Sequence, residues 1–120
     1  MIGNPNCMPV IKAMSSFTAR WMVDADVYQP GGFLGYGATN VFWRQMRNFV
    51  IDLTAVPAGV NVAGIHWPTA QATSLQNIVF EMSSASDSQH EGIYCESGSG
   101  GFMADLTFYG GWHAAAFANQ

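Results

Sequence analysis

Self-similarity at a spacing of 28–29 residues constrains this chain more than any other feature of it. Asn48-Phe-Val-Ile-Asp52, Asn77-Ile-Val-Phe-Glu81 and Asp105-Leu-Thr-Phe-Tyr109 begin 29 and then 28 positions apart. Each is a short run of β-branched and aromatic residues opened by Asn or Asp, which reads as a strand with a turn residue at its head. A second set keeps the same phase: Gly64-Ile-His-Trp67 and Gly92-Ile-Tyr-Cys95 lie 28 apart. Between the sets, Thr73-Ser-Leu-Gln76 and Gly100-Gly-Phe-Met103 occupy corresponding places, and only the loops Thr54–Gly59 and Ser83–Ser88 differ.

One repeat of this kind cannot bury its apolar face alone, and stacking on its neighbours builds a continuous core. The expected fold is therefore all-β: a right-handed, single-stranded parallel β-helix, with about three to four coils in this chain. Alternation across each strand would set Phe49/Ile51, Ile78/Phe80 and Leu106/Phe108 on one side as an internal column. The competing architecture is a β-sandwich with evenly spaced strands, but antiparallel strands favour stricter polar/apolar alternation than Asn-Phe-Val-Ile-Asp shows. Short helices are weakly indicated over Thr39–Gln45 and Trp112–Ala118. The strand-like stretch Ala116–Gln120 ends without a polar cap, so residues 1–120 read as part of a longer solenoid.

Charged residues are only 10% of the chain against 49% hydrophobic ones, which excludes disorder. Lys12, Arg20, Arg44 and Arg47 are the only basic side chains besides histidine, too few to track phosphates, so nucleic acid is not an expected partner. No apolar run approaches the roughly eighteen residues of a membrane span, and the N-terminus lacks the pattern of a signal peptide. Cys7 and Cys95 fit no metal or redox spacing and are left open as free thiols or a pair.

Seven positions beyond Gly64 is Gln71, and seven beyond Gly92 is Ser99. Gln120 joins this column if the last coil is shorter. Such groups, about 5 Å apart per coil, could hold a sugar or a water without charge; a purely structural ladder is the alternative. Among the acids, Asp52, Glu81 and Asp105 read as turn or capping groups, while Glu91 and Glu96 flank a strand and could face a cleft. His66, His90 and His113 form no metal motif and read as surface or corner residues. Ser97-Gly-Ser-Gly-Gly101 lacks the context of a nucleophile elbow and reads as a tight corner.

Taken as a set, Phe42-Trp-Arg-Gln-Met-Arg-Asn-Phe-Val-Ile-Asp-Leu53, Gly64-Ile-His-Trp67, Ala70-Gln-Ala-Thr-Ser-Leu-Gln-Asn77 and Gly98-Ser-Gly-Gly-Phe-Met-Ala-Asp-Leu106 resemble the N-terminal β-helix of fungal exo-β-1,3-glucanases, glycoside hydrolase family 55. The resemblance implies two tandem β-helices with the pocket between them, of which this chain would belong to the first and lack the second. It implies release of glucose from the non-reducing end of β-1,3-glucan with inversion, without metal or other cofactor, by a secreted parent protein. The general acid would be a glutamate of the second β-helix, with water held by glutamine and serine of the first; Gln71 and Ser99 match those places. A further family glutamine would fall near Phe42, where this chain has none, and Gln45 is the nearest amide. Gln120, Glu96 and Trp67 are the substrate-binding candidates.

Without its acid, a step worth about 10²–10⁴-fold, the chain alone is expected to be inactive. Two other readings compete. One is a non-catalytic carbohydrate-binding or structural β-helix. The other is a polysaccharide lyase, which would need basic residues for uronates and usually a Ca²⁺ cage of acids; four basic residues and no acid cluster make it the weakest of the three.

Overall fold

A computed structural model of the chain describes residues 1–69 and 71–118. Its strands are β1 (Val10–Lys12), β2 (Trp21–Asp24), β3 (Tyr28–Gln29), β4 (Phe33–Leu34), β5 (Gln45–Asp52), β6 (Val62–His66), β7 (Ser74–Glu81), β8 (His90–Cys95), β9 (Phe102–Tyr109) and β10 (His113–Phe117). One sheet has the order β1-β5-β7-β9 and the other β10-β8-β6-β2. Every pairing in these two sheets is parallel. From β5 onward the chain changes sheet at each connection, so hydrogen-bonded neighbours come from successive repeats. Such parallel pairing is incompatible with the antiparallel sandwich. Antiparallel pairing occurs in the hairpin β3–β4 and in an isolated bridge between Asn4 and Cys7.

The repeat builds the core directly. Phe49 and Ile51 lie in register with Ile78 and Phe80, which lie in register with Leu106 and Phe108. Ile51, Ile78 and Phe80 are fully buried, each worth about 1.5–3 kcal/mol relative to exposure. The rings of Phe80 and Phe108 stack with centroids 4.8 Å apart. Gly64 and Gly92 make room for them: a Cβ on Gly64 would come within 3.0 Å of Phe80, and one on Gly92 within 2.5 Å of Phe108. The glycine at the third position of β6 and of β8 is thus a packing requirement.

Asn48, Asn77 and Asp105 have φ of 63°, 49° and 54°, a left-handed conformation that Asn and Asp adopt more readily than most side chains. They stand inside β5, β7 and β9, because each hydrogen-bonded run begins three residues earlier than the sequence suggested. The strand bends there, and buried positions shift from Met46 to Phe49 and from Leu75 to Ile78. The amide of Asn77 donates to the Asn48 side-chain oxygen at 2.9 Å, and the Asn48 amide donates to the Gly3 carbonyl at 2.9 Å.

Several local expectations are corrected. Residues 113–117 are a strand, because His113, Ala115, Ala116 and Phe117 pair with β8; tertiary pairing overrides the helix propensity of the alanine run. Over Thr39–Gln45 the only helical turn is a 3₁₀ turn at Ala38–Asn40, after which the chain extends into β5. His66 and His90 are fully buried, not surface or corner groups. His90 Nδ1 accepts the Ser83 N–H at 3.2 Å and Nε2 faces the Pro57 carbonyl at 3.2 Å, so one ring fastens two loops of variable sequence.

Candidate functional site

Gln71 and Ser99 occupy adjacent turns. The Gln71 N–H donates to the Ser99 carbonyl at 3.0 Å, and the Ala72 N–H donates to the Gly100 carbonyl. Gln71 and Ala72 both have positive φ, 65° and 56°, conformations that cost of order 1–3 kcal/mol in residues other than glycine. The neighbour of Gln71 on its other side is Trp43, whose N–H donates to the Gln71 carbonyl at 3.2 Å. Gln45 does not take that place: it lies two residues on, in register with Ser74. Gln120 lies outside the described residues.

Ser99 opens onto a cavity of about 330 Å³ that is also lined by Trp67, Thr69, Thr73 and Ser97. Trp67 is buried and its indole N–H donates to the Thr73 hydroxyl at 3.2 Å, so this ring is part of the wall. The Thr69 and Ser97 hydroxyls have no protein partner among the described residues. No carboxylate is among the cavity's described lining residues. The cavity can accept a neutral, hydroxyl-bearing molecule but brings no acid to it.

A charged cluster lies on the strands that lead into both turns. His66, at the end of β6, places Nδ1 2.8 Å from Asp24 Oδ1 and Nε2 2.8 Å from Glu96 Oε1. Both ring nitrogens thus face a carboxylate oxygen at hydrogen-bond distance. The Tyr28 hydroxyl also donates to Glu96. Tyr28 titrates well above its usual range, because of partial burial first and then its bond to Glu96 and the charge there. The His66 ring stacks on Trp21 with centroids 4.3 Å apart, and Arg20 covers Trp21 at 4.3 Å while pairing with Glu91 at 2.6 Å. Glu96 borders a groove with Tyr28, Phe33 and Ser97, but one of its oxygens already serves His66 and Tyr28. Sequence reasoning missed the role of His66. The available signal was the alignment of Gly-Ile-His with Gly-Ile-Tyr, which sets His66 in register with Tyr94.

Comparison with known proteins gives these features a context. A family model described as rhamnogalacturonase A/epimerase, pectate lyase-like, matches residues 1–120. The chain is 46% identical over 121 residues to a glucan 1,3-beta-glucosidase of Cochliobolus carbonum, covering all of this chain and 15% of that protein. It is 46% identical over 122 residues to a protein of Arthroderma benhamiae named probable glucan endo-1,3-beta-glucosidase, covering all of this chain and 14% of that one. A Penicillium expansum protein named non-secreted LysM effector is 46% identical over 119 residues, 99% of this chain and 8% of its own length. The chain thus spans at most 15% of these relatives. Matched from its first residue to its last and built on two parallel sheets, the chain belongs to the rhamnogalacturonase A/epimerase, pectate lyase-like family, and within it is similar to glucan 1,3-β-glucosidases.

Proposed function

We propose that residues 1–120 are coils of a right-handed parallel β-helix in an inverting exo-β-1,3-glucanase, and that they supply the side of the pocket where the attacking water is held. The observation that carries this reading is the 3.0 Å bond from the Gln71 N–H to the Ser99 carbonyl. It sets an amide-bearing and a hydroxyl-bearing residue on neighbouring turns, and in this reading their side chains share one neutral ligand. The names of the two glucosidase relatives support β-1,3-glucan as the substrate.

Inverting hydrolysis needs a carboxylic acid on the leaving-group side and an activated water on the opposite face of the sugar ring. The Ser99 cavity has no carboxylate among its described lining residues; in this proposal the acid belongs to a second β-helix of the same protein, across the pocket. On this reading residues 1–120 alone do not hydrolyse glucan, and the complete protein works outside the cell. Laminarin digestion by the complete protein, followed by proton NMR in the first minutes, tests the proposal. The expected product is glucose appearing as the α-anomer. Release of the β-anomer would contradict inversion, and binding without any cleavage would favour a non-catalytic carbohydrate-binding β-helix.

A further inference from the structure

Trp43 precedes Gln71 by 28 residues, as Gln71 precedes Ser99. The two backbone bonds, 3.2 Å from Trp43 N–H to the Gln71 carbonyl and 3.0 Å from Gln71 N–H to the Ser99 carbonyl, make the three residues one column. The third member of that column is therefore an indole.

Two properties of Trp43 call for an explanation beyond the fold. It has φ of 60°, a genuine outlier for a bulky side chain, costing of order 1–3 kcal/mol. Yet it is 74% exposed, so burial of the ring does not offset that cost. Backbone conformations of this kind concentrate where a ligand is held.

The surroundings define the ligand's chemistry. The adjacent Arg44 guanidinium donates to the Ala25 carbonyl and lies 5.3 Å from the Tyr36 ring centre, so it is engaged away from the column. What remains is a broad apolar ring beside neutral amide- and hydroxyl-bearing residues. A pyranose has the matching form, with an apolar C–H face and a rim of neutral hydroxyls. An anionic ligand such as a phosphate or a uronate would find no counter-charge among the column residues. We infer that Trp43 is a stacking platform for a glucopyranose ring bound beside Gln71 and Ser99. This inference rests on the glucanase reading above and assigns that site its sugar-binding face.

The test uses the complete protein as wild type, Trp43→Gly and Trp43→Tyr, with a β-1,3-linked glucose oligosaccharide as both probe and substrate. Glycine adopts φ > 0 without strain, so Trp43→Gly should melt no lower than wild type; Trp43→Asn, which also tolerates that conformation, replaces it if it does. The oligosaccharide is expected to change tryptophan fluorescence in wild type and not in Trp43→Gly. KM should rise about tenfold in Trp43→Gly, the size of a lost aromatic contact of roughly 1.4 kcal/mol. Its kcat should stay close to wild type, and Trp43→Tyr should restore most of the affinity. An unchanged KM in Trp43→Gly, with wild-type cleavage intact, overturns the platform and leaves the glucanase reading standing. Wild-type protein that neither binds nor cleaves the oligosaccharide overturns both.

Discussion

The Nε2 atom of His66 lies 2.8 Å from a Glu96 carboxylate oxygen, joining the strand that leads to Gln71 with the segment that leads to Ser99. The same ring reaches Asp24 on a third strand through Nδ1, and it is fully buried. Removing the ring leaves these two mostly buried carboxylate oxygens without that partner, at a cost of about 1–3 kcal/mol for such a group. His66→Leu should therefore lower stability by that amount in urea denaturation. Glu96→Gln, whose amide can still hydrogen-bond to Nε2, should cost clearly less. Equal stability of His66→Leu and wild type would show that the bridge does not hold these turns together.

Close packing of Gly92 on Phe108 gives a second prediction. A Cβ at Gly92 would meet the Phe108 ring at 2.5 Å and crowd the Ala114 carbonyl, whereas one at Gly59 meets nothing within 4 Å. Gly92→Ala should destabilise by roughly 1–3 kcal/mol, the usual cost of overpacking. Gly59→Ala should stay within about 0.5 kcal/mol of wild type. Thermal melts of the two variants side by side check the contrast.

Asp52 makes stability depend on acid. Burial pushes its carboxyl up, but bonds from the Lys12 ammonium and from the Thr54 hydroxyl and N–H outweigh this, and the group titrates below the ordinary 3.8. A carboxylate with a depressed folded-state value stabilises the fold above its unfolded value, and that contribution is lost as pH falls through the lowered one. Asp52→Asn should thus be less stable than wild type at pH 7, with the gap closing as pH drops below 3.8. Denaturant midpoints measured from pH 7 down to pH 2 test this; a gap independent of pH would contradict it.

Cys7 is exposed and Cys95 buried, and both are free thiols. Burial is the main cause that raises Cys95 above its usual value, with a backbone hydrogen bond at Ser97 opposing it and the Glu96 charge adding to it. An aromatic disulfide reagent at pH 8 should modify one thiol quickly and the second only after denaturation, since reactivity follows the thiolate and its access.

Much of this fold was legible because its repeat depends on residues with special backbone or space requirements. Asn48, Asn77 and Asp105 mark the left-handed bends, and Gly64 and Gly92 mark the places where phenylalanine rings pack. The N-terminal strands were not legible. β1 pairs Val10 with Val50, and β2 pairs Trp21 with Ala63, spacings of 40 and 42 residues, because the β3–β4 hairpin and the segment after it lengthen that turn. Trp43 kept the 28-residue spacing but escaped notice, since an indole shares no chemistry with the amide and hydroxyl side chains of Gln71 and Ser99. The role of His66 was hidden for a different reason. Its partners Asp24 and Glu96 are 42 and 30 positions away, and only the strand register brings them together.

The most direct test of the account is kcat on laminarin for Gln71→Ala, Ser99→Ala and the double variant, in the complete protein. If both side chains hold one attacking water, each single change should lower kcat by on the order of 10²-fold, as misplacing a reactant does. The double variant should then be little worse than the slower single, because groups acting as a unit are not additive. Single variants that both turn over at the wild-type rate would contradict it.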